Sequence, residues 1–133
     1  MRPQYELTEL VVADMAASLA FYRRLGVDLP AGIEGQPHVE ATLASGLRLA
    51  WDTEDMIRSL DPHWQRPTGG HRIALAFRCP DGAAVDREYA DLVAAGYQGV
   101  AAPFDAFWGQ RYATVRDPDG NPIDLFAPTG PPA

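Results

Sequence analysis

One pattern occurs twice in this chain, and an internal repeat fixes an architecture before any single element is assigned. A short apolar run, Leu7 to Val12, leads into Ala13-Asp14, and a second, Ala74 to Cys79, leads into Pro80-Asp81. The two aspartates stand half the chain apart. After Asp14 comes MAASLAFYRRLG, with Leu19, Tyr22 and Leu25 at helical spacing, a carboxylate to cap the first free N–H groups, and Gly26 to close the last turn. After Asp81 comes GAAVDREYADLVAAG, with Val85, Tyr89, Leu92 and Val93 on one face and Gly96 at its end. Each helix is followed by strands and turns: His38 to Ala44, Ser45-Gly46 and Leu47 to Thr53 in the first half; Arg111 to Asp117, the turn Pro118-Asp119-Gly120-Asn121 and Pro122 to Ala127 in the second. This predicts one α+β domain over residues 1–133, with modules 1–60 and 71–128 and a connector, 54–70, that carries a helical turn over Asp55 to Leu60 before Asp61-Pro62.

Size and charge narrow the function. At 133 residues, with 47% hydrophobic and 22% charged, the chain can bury a core without help from a disulfide or metal. Its single cysteine, Cys79, excludes an intrachain disulfide, fits a reducing, cytoplasmic setting, and reads as a buried inert thiol beside Pro80. No apolar stretch is long enough for a secretory signal or a membrane span. With 11 Lys plus Arg against 18 Asp plus Glu, the net charge of −7 repels phosphate backbones, so no nucleic-acid partner is expected and a cationic ligand is favoured over an anionic one.

Two stretches, VVADMAASLAFYRRLGV and FWGQRYATVRDPDGNPIDLFAP, resemble the vicinal oxygen chelate superfamily of glyoxalases, bleomycin-resistance proteins and ring-cleaving dioxygenases. The resemblance implies two βαβββ modules forming an open barrel-like cup, commonly in a homodimer. It also implies four inward-facing ligand positions in the metal-dependent members, one near the start of the first strand and one on the last strand of each module. Counting back from Asp14 and Asp81 puts Leu7 and Ala74 at the first pair, and aligning Leu49-Ala50-Trp51 with Ile123-Asp124-Leu125 puts Ala50 and Asp124 at the second. One carboxylate cannot hold zinc or non-haem iron tightly, so no metal and no other cofactor is expected. His38, His63 and His71 fall outside the pattern and read as exposed or hydrogen-bonded structural residues.

Strand alternation then lines the expected cup with Leu7, Glu9 and Val11, with Ala74, Ala76 and Arg78, and with Asp124 and Phe126, while Trp51 faces the helix. Aromatic residues gather around two loops bordering it: Trp64 in the connector, and Phe104, Phe107, Trp108 and Tyr112 in PFDAFWGQRY. A core role is open for Phe107 and Trp108 as well. The expected ligand-binding set is Leu7, Glu9, Trp64, Arg78, Phe104, Phe107, Trp108, Tyr112 and Asp124, around a small aromatic or cationic organic molecule. The leading function is sequestration of an antibiotic or related natural product, in the manner of bleomycin-resistance proteins. The alternatives are a glyoxalase-like lyase or ring-cleaving dioxygenase with an unconventional metal site, and a cofactor-free isomerase or cyclase using Glu9 or Asp124 as general base.

Overall fold

The computed structural model describes residues 2–130. The chain divides between Thr68 and Gly69 into two compact units, which correspond to the two halves of the repeat. In the first, β1 (Thr8–Val12) leads to α1 (Met15–Arg24), then β2 (His38–Thr42), β3 (Arg48–Thr53) and α2 (Glu54–Leu60). In the second, β4 (Leu75–Arg78) leads to α3 (Gly82–Ala94), then β5 (Gly99–Ala106), β6 (Gln110–Arg116) and β7 (Pro122–Pro128). None of the described helices is long and apolar enough to cross a membrane.

The repeat extends to the individual hydrogen bonds at the helix ends. Asp14 accepts from the Ala17 N–H at 3.0 Å, and Asp81 accepts from the Ala84 N–H at 2.8 Å, so each aspartate caps its helix. At the other end Gly26 and Gly96 take positive φ, 91° and 100°, a backbone region costly for any side chain. Gly26 and Val27 donate to Arg23 and Tyr22, and Gly96 and Tyr97 donate to Val93 and Leu92, which is the Schellman closure in both cases. Helix α1 buries Met15, Ser18, Leu19, Phe21 and Tyr22. Tyr22 meets fully buried Trp51 of β3 edge-on, with ring centroids 5.4 Å apart, so Trp51 lies on the helix side as its parity requires. Helix α3 buries Ala84, Val85 and Leu92 and packs on β5, β6 and β7, whose Ala113, Val115, Ile123 and Leu125 are buried.

The sheets are open and unequal. The second has the order β4-β7-β6-β5, a complete βαβββ module, and the first has the order β1-β3-β2, one strand fewer than the βαβββ module that the resemblance implies. The segment between α1 and β2 contains Pro30, Gly32, Gly35 and Pro37, and prolines without an N–H together with glycines of high chain entropy cannot sustain a ladder there. Conversely, β5 is a strand that the sequence does not announce. The first residue of β1 is Thr8, so Leu7 immediately precedes the strand.

Candidate functional site

The pairing of β1 with β3 is parallel and sets Glu9 opposite Ala50; that of β4 with β7 is parallel and sets Ala76 opposite Asp124. Glu9 and Ala76 are equivalent in the repeat, so Ala50 and Asp124 occupy equivalent places on their sheets. Of the four implied ligand positions, Leu7, Ala50 and Ala74 carry no donor atom on their side chains. Asp124 does, but both of its oxygens are engaged: the Tyr112 hydroxyl donates to Oδ2 at 2.5 Å and the Thr114 hydroxyl donates to Oδ1 at 2.7 Å. Among the described residues no three His, Cys, Asp or Glu side chains are grouped to hold a metal ion. These residues do not fit the metal that the resemblance implies for metal-dependent relatives.

The antiparallel hairpin β6-β7 explains the pinning of Asp124. Its turn is tied by Asp117, whose side chain accepts from the N–H groups of Asp119 and Asn121 and from the Asn121 amide. Pairing then runs Arg116 to Pro122, Thr114 to Asp124 and Tyr112 to Phe126. Thr114 is thus directly opposite Asp124 on the face away from α3, and Tyr112 reaches it from one pair along. Burial first, and then its bond to the Asp124 carboxylate, push the Tyr112 phenol up to about 12. Tyr112 is consequently a hydroxyl donor throughout the physiological range.

Tyr112 is also the inner member of an aromatic cluster. Trp108 lies edge-on to it at 5.3 Å between centroids and to Phe104 at 6.4 Å; Phe104 and Tyr112 are 6.2 Å apart, and Phe107 meets Trp108 at 5.0 Å. The Trp108 indole N–H donates to the Gln110 side chain at 2.7 Å, which fixes the ring at the hairpin turn. Phe104 is 42% exposed, Trp108 49% and Phe107 97%, so these rings present apolar area to solvent and are not core. Tyr112 stands in β6 within the strand read over Arg111 to Asp117, and Phe104, expected beside a loop, is a strand residue of β5 paired with it.

The remaining expected residues are placed as follows. Arg78 is exposed on β4 opposite Phe126. Glu9 is exposed on β1. Trp64 belongs to the first unit, where the Arg58 guanidinium lies over its ring at 5.1 Å. Cys79 is buried, and burial raises its thiol, as an inert structural role requires.

A group absent from the sequence-based site lies on the face of the first sheet that carries Glu9 and Ala50. Buried Asp52 of β3 is opposite His38 of β2 and contacts its Nδ1 at 2.5 Å, while Nε2 meets Glu40 at 2.7 Å. Glu40 also pairs with Arg48, which reaches Glu6 at 2.7 Å. The hydrogen bonds to Glu40 and then Asp52 raise the His38 imidazole above its usual range. His38 is therefore hydrogen-bonded through both ring nitrogens. No sequence motif marks the pair, because it depends on which strand neighbours β3.

A family model for the Glyoxalase/Bleomycin resistance protein/Dioxygenase superfamily matches residues 4–125. No curated protein matches the chain. Among solved structures, a hypothetical protein from S. aureus aligns with a TM-score of 0.80 at 18% identity, covering 96% of this chain and 95% of that one. A glyoxalase/bleomycin resistance protein/dioxygenase family enzyme from Burkholderia phytofirmans PsJN aligns at 0.79 and 19% identity, covering 92% and 96%. A glyoxalase/bleomycin resistance protein/dioxygenase from Nocardioides aligns at 0.74 and 25% identity, covering 100% and 89%. The likeness at the lower identities is one of fold, and with the match over residues 4–125 it identifies the chain as a member of the glyoxalase/bleomycin resistance protein/dioxygenase superfamily.

Proposed function

We propose that this protein binds a small planar organic molecule on the strand face of its second module, sequestering an antibiotic or related natural product as bleomycin-resistance proteins do, without a metal. The observation that carries the reading is the contiguous set of rings formed by exposed Phe104, Phe107 and Trp108 with half-buried Tyr112. Rigid rings bury much area with little loss of conformational freedom, and their faces and edges suit stacking on a flat ligand. The donor chemistry supports binding rather than metal-assisted reaction, since three of the four implied ligand positions are Leu7, Ala50 and Ala74. Asp124 serves this reading as the acceptor that fixes Tyr112 beneath the rings. A cytoplasmic homodimer would be the working unit.

Tryptophan fluorescence tests the proposal selectively. Trp51 is fully buried and Trp64 lies under Arg58, so a ligand on the second module changes the emission of half-exposed Trp108. A titration with bleomycin-type glycopeptides and polycyclic antibiotics should shift emission at micromolar concentration. Loss of one aromatic contact costs about 1.4 kcal/mol, towards the upper end for such pairs, so Trp108→Leu should weaken binding about tenfold while the circular dichroism spectrum is unchanged. No shift with any compound in a folded protein would overturn the proposal. About one equivalent of tightly held transition metal per chain, lost on chelation together with an activity, would replace it with the enzyme reading.

A further inference from the structure

We infer that the ligand of this face is a planar aromatic acid whose anionic group is held by Arg78; the inference rests on the reading above and specifies its ligand. Three successive pairings define one transverse row across the second sheet. Arg78 of β4 is opposite Phe126 of β7, Phe126 is opposite Tyr112 of β6, and Tyr112 is opposite Phe104 of β5. Directly opposed residues project to the same face, and with strands about 4.8 Å apart the row is about 14 Å long. It consists of one cation followed by three rings, with Trp108 standing against the last two. Its charge lies at one end only.

The neighbouring groups decide the sign of the ligand. Arg78 is exposed and its side chain makes no hydrogen bond or ion pair with any described residue, whereas Arg111 of β6 is paired with both Asp86 and Asp105. The Arg78 guanidinium thus keeps its planar fork of donors for a carboxylate or sulfonate. The carboxylate nearest in register, Asp124, is one pair along on β7, and both of its oxygens already accept hydroxyl protons within the sheet. A cationic ligand would have to compete for those oxygens while lying beside the Arg78 charge. The net charge of −7 works in the opposite direction, favouring a cation at long range. That field is screened over about 8 Å at physiological salt, while a bidentate contact acts at about 3 Å. The contact should therefore decide.

The test compares two probes with the same ring and opposite charge, 2-naphthoate and 2-naphthylmethylammonium, titrated in 150 mM salt against Trp108 emission. Naphthoate should bind at least tenfold more tightly. Arg78→Met, which keeps an unbranched apolar stem without the charge, should make acid and ammonium bind alike, and Arg78→Lys should restore part of the preference. Equal or tighter binding of the ammonium, or an acid preference unchanged in a folded Arg78→Met protein, would overturn the assignment while leaving the aromatic face as a binding site. If neither probe moves Trp108 emission, the binding reading itself fails, and the assignment with it.

Discussion

Replacing Tyr112 by phenylalanine removes the shorter of the two hydroxyl contacts to Asp124 and leaves the ring stack in place. Hydrogen bonds to charged groups contribute about 1.5–3 kcal/mol, and because Asp124 and Tyr112 are only half-buried, water can partly substitute. The expected cost is therefore at the low end, about 1.5 kcal/mol. For a domain of this length, 1 kcal/mol corresponds to roughly 4 °C, so Tm should fall by about 6 °C. Urea unfolding of Tyr112→Phe, Asp124→Asn and the double variant closes a thermodynamic cycle, and the pair should be coupled by about 1 kcal/mol. The tyrosine titration gives a second readout. The Tyr112 phenol, at about 12 in the native protein, should ionise at lower pH in Asp124→Asn but stay above its ordinary value of 10.0, because burial is the larger cause of its shift. The sign for stability follows. A folded-state pKa above the unfolded one favours the native protein below about pH 10, and this contribution disappears as pH rises towards about 12. Additive single variants, with coupling below about 0.3 kcal/mol, would refute the idea that Tyr112 and Asp124 act as a pair. So would a phenol that titrates identically without the Asp124 charge.

Two further perturbations probe the scaffold. The His38 imidazole is raised by Glu40 and Asp52, so its stabilisation is complete below the unfolded value near 6.5 and is lost as pH rises through the higher folded value. Between pH 6 and 9 the wild-type urea midpoint should fall relative to His38→Gln, by less than about 1 kcal/mol because the ring is 37% exposed; parallel profiles would show that the contacts are energetically silent. At Gly99 an added Cβ would stand 2.3 Å from the Tyr89 hydroxyl and 3.0 Å from its ring carbon, so Gly99→Ala should cost about 1–3 kcal/mol. Adding Tyr89→Phe should recover part of that loss in a thermal melt, and no recovery would place the strain elsewhere.

What could be read from the sequence was local or duplicated. The caps Asp14 and Asp81, the closing glycines and the turn after Asp117 each act within a few residues, so their chemistry is legible wherever they occur. Strand β5 was not legible. Gly99, Ala101, Ala102 and Pro103 have low strand propensity, and register shifts between Gly99 and Ala101 and between Ala101 and Phe104 break its alternation. The site was half legible for the same reason. Aromatic residues near Trp108 could be counted, but the row from Arg78 to Phe104 exists only once four strands are in register, three of them distant in sequence from β4. Thr114 was within reach: the turn after Asp117 sets the hairpin register, and counting across it from Asp124 leads to Thr114.

The equivalence of Ala50 and Asp124 also explains why one module keeps a carboxylate at this place and the other does not. On the second sheet, position 124 has Ala76 on one side and Thr114 on the other, an uncharged neighbour and a hydroxyl donor, and Tyr112 supplies a second donor. A carboxylate is stabilised there. On the first sheet, position 50 has Glu9 directly opposite on β1 and Glu40 directly opposite on β2. An acid at 50 would be the third in a transverse row of three like charges, and like charges in direct opposition destabilise a sheet. Only a bound cation or a new arginine could offset that repulsion, and Arg48, the nearest on the same strand, is already held by Glu6 and Glu40. Alanine at 50 removes the conflict, and its full burial lets β3 sit between Glu9 and Glu40 without a third charge to solvate.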